Sequence, residues 1–334
     1  MILVTGATGL VGAHLLLALA KKHNKLVALY RSKQKKSAVF AFFSKNDAHH
    51  PKLYNHVVWL KAELNDLNQL EKAFKGITQV FHCAALVSLF YHHKEKLRKV
   101  NVEGTANIVN FALKNRLEKM IYVSSIAALG EPNHNGIIDE NSSWNLNAEY
   151  TPYAISKFNA EMEVWRGIQE GLCAVILNPG VVLSATLWNR SSGKILDKIA
   201  KGLRFYPTGN IAFVSVEDVV KVSLMAHETN ALDQNRFVLV AKNQSYQSFI
   251  AQLAKGFGKK SPNYPLKKNW LFLAMALESL LDSLKIRKRQ LNKGLIDAFC
   301  NTTKYDGSKI EKVTSFKYEP SKKVFDRLNK GVKN

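Results

Sequence analysis

Apolar residues occur along this chain in short unbroken runs, and longer stretches with helical spacing follow them. The first run, ILVTG at 2–6, is too short for a helix and shows no polar alternation, so it predicts a strand buried on both faces of a parallel sheet. AHLLLALAKKHN (13–24) then predicts a helix, KLVALYR (25–31) a second strand and HVVWLKAEL (56–64) a third, with a helix through LNQLEKAFK (67–75). GITQVFHCAA (76–85) predicts a fourth strand, 96–115 a long helix, and KMIYVSSIAALG (119–130) a fifth strand with its exit loop. A helix over 153–171, stopped by Gly171, leads to CAVILNPGVVL (173–183), a sixth strand. FVSVEDVVKVSLMA (213–226) has the form of a strand end and a helix, and RFVLVA (236–241) of a last strand.

Strand and helix alternating in this way predict an α/β fold, a doubly wound parallel Rossmann sheet joined by right-handed crossovers. Beyond residue 183 the pattern loosens. The expected division is a nucleotide-binding domain of 1–183 plus roughly 211–241, and a smaller, mostly helical substrate-binding subdomain of 184–210 and 242–334.

Composition leaves this picture in place. At 334 residues with 46% apolar content the chain can bury a sizeable core, and no repeat is visible. The opening residues already form a strand, so no signal or transit peptide is expected. WLFLAMAL (270–277) is too short to span a bilayer, which takes about 20 residues, and predicts an amphipathic helix packed on its own domain, with no membrane partner. Cys83, Cys173 and Cys300 are far apart and lack metal-ligand spacing, which predicts free thiols in a reducing cytoplasm and no metal. The net charge of +22 suits nucleic acid or an anionic surface, but its lysines are spread along the whole chain. The clusters KQKK (33–36) and KIRKRQLNKG (285–294) are short and no basic motif is interleaved with aromatics, so a solvated surface without a nucleic-acid partner is expected. Part of that charge is available to attract an anionic ligand.

The first strand runs into Gly6, Gly9 and Gly12 before the first helix. Such a turn admits a pyrophosphate: one glycine makes the turn, one lets backbone approach phosphate, one lets helix pack on strand, and the helix N-terminus supplies N–H donors. The spacing is GxxGxxG rather than GxGxxG. NAD sites place an acid about 20 residues further on, yet this chain has no acid before Asp47. The second strand ends instead in YRSKQKK, with Arg31, Lys33, Lys35 and Lys36, and an arginine fork matches a 2′-phosphate. The cofactor expected is NADP(H), with NAD(H) possible. Further on, Tyr153 and Lys157 lie at i, i+4 on one helix face, and Ser124 and Ser125 follow the fifth strand. A tyrosine is a poor base at neutral pH unless neighbouring positive charge favours its phenolate. Tyr153 can then move a proton at a substrate oxygen that a serine holds, while Lys157 orients the cofactor.

With these residues assembled, the chain resembles an extended short-chain dehydrogenase/reductase of the NAD(P)-dependent epimerase/dehydratase group, nearest the dihydroflavonol-reductase-like and 3β-hydroxysteroid-dehydrogenase-like branches. The motifs that carry the resemblance are TGATGLVG (5–12), FHCAA (81–85), NVEGT (101–105), VSS (123–125), YAISK (153–157) and NPGVVL (178–183), with FVSVEDVV extending it to about residue 240. The resemblance implies that Gly6, Thr8, Gly9, Leu10, Val11 and Gly12 line the pyrophosphate and that Arg31 meets the 2′-phosphate. It implies that Glu63 and Leu64 flank the adenine, although AEL departs from the family's Gly-Asp-Leu, and that Ala84 and Ala85 pass under the ribose. It assigns catalysis to Tyr153, Lys157 and Ser125, with Ser124 the alternative, and the nicotinamide end to Pro179 and Val181. Asn178 stands where sugar-nucleotide epimerases commonly have arginine. A homodimer through 96–115 and 153–171 is also implied.

Other polar residues invite simpler assignments. Asn101 is expected to be buried against backbone, His82 packed, and His92 and His93 a solvated helix start, with Ser88, Phe90 and Tyr91 near the substrate mouth. Asp139 and Glu140 suggest a loop cap, and Asp218 a helix N-terminal charge. The function expected is an NADP(H)-dependent oxidoreductase acting on a carbonyl or secondary alcohol. A sugar-nucleotide epimerase/dehydratase is the alternative, followed by a non-catalytic cofactor sensor, against which the retained Ser125, Tyr153 and Lys157 argue. The small-molecule substrate is not legible; SLFYHH, TLWNRSS and KGLRFYPTG, with Arg204, suggest a half-apolar pocket.

Overall fold

The computed structural model describes residues 1–88, 90–187, 194–283 and 291–332. Strand β1 (Ile2–Thr5) leads to α1 (Leu10–Ala20), β2 (Leu26–Tyr30), α2 (Lys33–Asn46), α3 (His50–Asn55), β3 (Val57–Lys61), α4 (Leu67–Ala73) and β4 (Gln79–His82). Helices α5 (Lys94–Leu97) and α6 (Gly104–Lys114) are joined by a π-helical turn, Arg98–Glu103, and precede β5 (Lys119–Val123), β6 (Ile137–Ile138) and α7 (Pro152–Gln169). Then come β7 (Ala174–Pro179), β8 (Val181–Leu183), α8 (Lys194–Lys201), β9 (Phe205–Pro207), β10 (Asn210–Ser215), α9 (Val216–Glu228), β11 (Arg236–Leu239) and β12 (Lys242–Ser245). The chain ends with α10 (Tyr246–Gly256), β13 (Tyr264–Leu266), α11 (Lys268–Ser283), α12 (Lys293–Cys300), β14 (Lys304–Tyr305), α13 (Lys309–Val313) and α14 (Ser321–Val332).

The main sheet has the order β11-β7-β5-β4-β1-β2-β3, and every neighbouring pair is parallel. The winding reverses between β1 and β4, which opens a crevice beyond their carboxyl ends. Pleating sends Ile2 and Val4 to one face and Leu3 to the other. The first face packs on α1, α2 and α9 through Leu15, Leu16, Phe43 and Val219; the second packs on α4, α6 and α7 through Leu70, Ile108 and Val164. A separate core of Leu183, Leu196, Phe213, Phe249 and Phe325 gathers residues from the end of the sixth predicted strand onward.

The fold class is as the sequence predicts, and several elements differ from the pattern. Residues 32–55 carry no predicted element, and their lysines look like a loop, yet α2 forms there. Ser32 caps it by accepting from Lys35 N (3.4 Å), and Val39, Phe42 and Phe43 are buried beneath it. The predicted strand 173–183 is two strands. Gly180 breaks it, donating to Leu239 O (3.0 Å), and β8 leaves to pair with β10 in a second sheet with β12. A side chain at Gly180 would meet Ala212 O at 2.6 Å, so only glycine lets the chain cross so near. The C-terminal part of the chain, expected to be mostly helical, also holds the β9–β13 ladder and β14, which pairs with β6. Helix α11 forms over the 270–277 run and packs beside α12 of the same subdomain by one side, although none of its residues is fully buried.

Candidate functional site

The first half of the site is the turn after β1. Gly6 has φ +66°, and a Cβ there would lie 2.5 Å from Ala84 N. A Cβ on Gly12 would lie 2.3 Å from Gly6 O. Turn, α1 and the end of β4 are therefore closer together than side chains allow. Gly9 N donates to Gly6 O (2.8 Å) and opens α1 with no side chain capping it. The N–H groups of the first turn, those of Leu10, Val11 and Gly12, thus have no intrahelical partner. A Cβ on Gly9 would meet only Gly6 O, at 3.1 Å, so the space over the helix end is otherwise open. Free donors, the positive helix end and missing side chains suit a pyrophosphate. Ala84 N donates to Thr5 Oγ1 (3.3 Å), which fixes the strip of Ala84 and Ala85 beside the turn.

Arg31 is exposed just past β2, with Ser32 opening α2 beside it. No acid pairs with Arg31 among the described residues. Lys36 instead covers the rings of Tyr30 and Trp59, at 5.3 and 5.7 Å from their centroids. Glu63 is exposed and its N–H donates to Gln69 Oε1 (2.9 Å), while Leu64 packs against Gly104.

The second half is α7, which Thr151 caps by accepting from Ala154 N (3.0 Å), with Pro152 in its first turn. Tyr153, Lys157 and Glu161 recur every fourth residue and share a face. Lys157 is buried; its Nζ donates to Tyr122 Oη (2.8 Å) and Val123 O (3.2 Å). Tyr122 stacks on His82 (5.4 Å between ring centroids), and the His82 ring bridges Thr5 Oγ1 (2.6 Å) and Thr105 Oγ1 (3.0 Å). A chain of buried polar contacts thus runs from the strand before the glycine turn to Lys157. His82 is packed, as expected.

The two serines separate. Ser124 is buried and donates to Glu161 Oε2 (2.7 Å). Ser125 accepts from Ala127 N (3.1 Å), and its hydroxyl lies against the Tyr153 phenol. Asn101, in the π-helical turn, accepts from Leu86 N (2.7 Å) and donates to Leu86 O (3.0 Å) and Ser156 Oγ (2.9 Å). It ties the exit of β4 to α7, and the π turn is what brings its amide inward.

Burial dominates the electrostatics. It pulls Lys157 down to about 7 against the nearby Glu161 and Cys83. It raises the Tyr153 phenol, with Ser125 pulling the other way. It lowers His82 to about 3, assisted by Lys157, and pushes the Cys83 thiol up to about 12.

Sequence reasoning missed Glu161 and Arg236. Glu161 is fully buried; Oε2 accepts from Ser124 and from Asn178 Nδ2 (2.7 Å), and Oε1 from Arg236 Nη1 (3.2 Å). Asn178 Nδ2 also donates to Ser125 O (3.0 Å). Arg236 Nε donates to Glu140 O (2.8 Å), and the Glu140 carboxylate accepts from Val238 N (2.8 Å). Glu140 therefore fastens the edge of β11 as well as its own loop, whereas Asp139 caps the loop through Asn141 N (2.8 Å). A third charged position on the Tyr153–Lys157 face was a usable signal for Glu161; nothing local marks Arg236. Asp218 accepts from Glu319 N (3.1 Å), an anchor for the C-terminal segment.

Pro179 and Val181 flank Gly180 at the carboxyl end of β7. Of the substrate-side motifs, Ser88 is buried and pairs with His93 Nδ1 (2.7 Å), while Phe90, Tyr91 and Phe205 are exposed. Leu89 and residues 188–192 of TLWNRSS lie outside the described residues.

Residues 2–241 match the model of the NAD dependent epimerase/dehydratase family. A putative dihydroflavonol 4-reductase of Synechocystis sp. is 29% identical over 281 residues, covering 82% of this chain and 77% of that protein. Sterol demethylase protein B of Methylococcus capsulatus is 29% identical over 262 residues, covering 78% and 75%. Among solved structures, that of gox2253 superposes with a TM-score of 0.81 at 26% identity, over 100% of this chain and 97% of that one.

Proposed function

The chain belongs to the NAD-dependent epimerase/dehydratase family of enzymes, and from that premise we propose that it is an NADP(H)-dependent oxidoreductase that reduces a carbonyl or oxidises a secondary alcohol. The observation that supports this reading is that Tyr153 and Lys157 share one face of α7 across from Ser125, with Lys157 tied through Tyr122 and His82 to the strand that enters the glycine turn. Gly6, Gly9 and Gly12 with the first N–H groups of α1 would hold the pyrophosphate, and Arg31 the 2′-phosphate. NADP(H), when bound, supplies or accepts the hydride. Tyr153 is held protonated by burial and gives its phenolic proton to the carbonyl oxygen as the alcohol forms. In oxidation the phenolate takes that proton back. Ser125 donates a hydrogen bond to the same oxygen, and Lys157 orients the cofactor and adds positive charge near the phenol.

Asn178 weakens the sugar-nucleotide epimerase alternative. Its amide is spent on Glu161 and Ser125 O inside the protein, where it cannot meet a sugar diphosphate. The relatives' names favour a bulky, largely apolar carbonyl substrate of flavonoid or sterol type. A homodimer would use the outer row of α7, where Ile155 and Met162 are exposed beside Phe158. Three half-buried unpaired thiols suit a reducing, cytoplasmic setting.

Calorimetric titration with NADPH and NADH tests the reading. NADPH should bind more tightly. Arg31→Ala should weaken NADPH by roughly 10- to 100-fold, the worth of a hydrogen bond to a charged group, and leave NADH unchanged. Preference for NADH, or a cofactor that arrives bound and does not exchange, would put the epimerase/dehydratase reading first.

A further inference from the structure

Helix α11 carries an apolar row that the fold leaves uncovered. Trp270, Leu273, Leu277 and Leu280 are 66%, 71%, 59% and 57% exposed. Their spacing of three and four places them on one side of the helix, with Ala274 and Ala276 beside them. The helix packs beside α12 by its other side: Lys268 pairs with Asp297 (2.7 Å), and Glu278 Oε2 accepts from Leu291 N (2.8 Å). Its remaining acid, Asp282, follows Leu273 by nine residues and so lies half a turn away from the apolar row. Both acids are thus off the exposed face. Just before the helix, Phe205 and Tyr264 set two more exposed rings 5.8 Å apart on the β9–β13 ladder.

Single exposed leucines need no explanation, but a continuous exposed row of large side chains does. The surrounding charge indicates what covers it. Lys259, Lys260 and Lys267 are exposed and have no acidic partner among the described residues. In the sequence, four further cations follow within 285–289, outside the described residues, and the whole chain carries +22. A second copy would bring like charges together. An anionic surface with an apolar interior meets both features, in the manner of a helix lying in the membrane interface. No described helix is long and apolar enough to cross a membrane, so the contact would be peripheral.

We propose that the Trp270–Leu273–Leu277–Leu280 face of α11 docks onto an anionic lipid bilayer, with the neighbouring lysines over the headgroups. Helix α12, on which the opposite side of α11 packs, sets Gly294 against the backbone of Tyr150 and Thr151, two residues before Tyr153. The proposal goes beyond the oxidoreductase reading and does not depend on it.

The test is co-sedimentation of the full chain with phosphatidylcholine vesicles, with and without phosphatidylglycerol, at low and high salt. The expected result is binding to the anionic vesicles that weakens as salt rises and falls by at least about tenfold in Leu273→Glu/Leu277→Glu. Both positions are exposed, so an unchanged melting curve and unchanged NADPH titration establish that the variant is folded. Failure to bind anionic vesicles would overturn the proposal, as would equal binding by the variant. Lipid-free self-association that the same variant abolishes would assign the face to a second copy and also overturn it. Because the NADPH titration is read separately, each of these outcomes leaves the cofactor assignment as it stands.

Discussion

Tyr153 shows how burial sets the direction in which this site works with ease. Its phenol is pushed above the ordinary tyrosine range by desolvation, so it is protonated throughout neutral pH. Reduction consumes that proton, so the phenol itself imposes no fall in rate between pH 6 and 8, and a change there follows the charge of Lys157, which burial brings down to about 7. Alcohol oxidation needs the phenolate and should rise with pH across the same interval and beyond. Initial rates in both directions against a ketone and its alcohol check this; oxidation that is level from pH 6 upward would remove Tyr153 from the role. Tyr153→Phe should lower kcat by roughly 100- to 10,000-fold, the usual worth of acid–base catalysis, with NADPH affinity little changed. Glu161 is the second residue on which a prediction rests. Its carboxylate is buried against Arg236, so Glu161→Gln leaves a half-buried guanidinium without its counter-charge. Breaking such a pair from one side costs about 3 kcal/mol, readable as a drop in the denaturation midpoint; a loss below about 1 kcal/mol would mean that solvent compensates Arg236. Tyr153 and Lys157 were legible because their chemistry is recognisable from spacing alone. Glu161 had only its place on their helix face to mark it, since an acid on a helix resembles a solvated one until β11 brings Arg236 beside it from 75 residues away.

Among the elements, the glycine turn and α1 act as one unit, and two of its glycines do different things. Gly12 lets α1 touch the turn: a methyl there would be 2.3 Å from Gly6 O, with backbone as its neighbour. Gly12→Ala should shift the helix and cost about 1–3 kcal/mol, as overpacking does, and should abolish NADPH binding with it. Gly9 faces the open side and has φ −83°, which alanine adopts freely. Gly9→Ala should keep the melting temperature within a few degrees yet weaken NADPH by tenfold or more, because the methyl enters the phosphate space. Equal loss of stability in both variants would show that the turn is a packing device without a separate phosphate role. The strand-turn-helix unit was readable because each part has a local signal: an apolar run, spaced glycines, then a helical stripe. Two elements had none. The start of α2 is lysine-rich and its apolar residues are bunched at 38–43, without a helical rhythm. The break at Gly180 depends on the approach of Ala212, more than 30 residues later, which no local pattern carries.

For the molecule as a whole, two histidines, His82 buried and His14 half-buried, tie distant parts of the chain together and make its stability depend on pH. His82 joins β1 to α6 through Thr5 and Thr105. His14 joins α1 to the segment after β8 through Thr186 Oγ1 (3.0 Å) and Leu10 O (2.9 Å). Burial lowers His14 to about 4 and His82 to about 3 from an ordinary 6.5. The folded state thus binds fewer protons than the unfolded one below pH 6.5. Their contribution is fully present above that value and is lost progressively as pH falls toward the folded values. At pH 5 each histidine costs about 2 kcal/mol relative to pH 7, a large share of a typical folding free energy of about 5–15 kcal/mol. Glu140, Glu217 and Asp218 oppose this, since burial raises their carboxyls and the folded state takes up their protons more readily than the unfolded one. Denaturant unfolding at pH 7 and 5 should therefore show a clear loss of stability on acidification. His82→Gln, whose amide can still bridge Thr5 and Thr105 without titrating, should flatten the slope by about 1.4 kcal/mol per pH unit between 6 and 5. An unchanged slope in that variant would mean that water reaches the His82 ring, and the buried link between the glycine turn and Lys157 would then have to be redrawn.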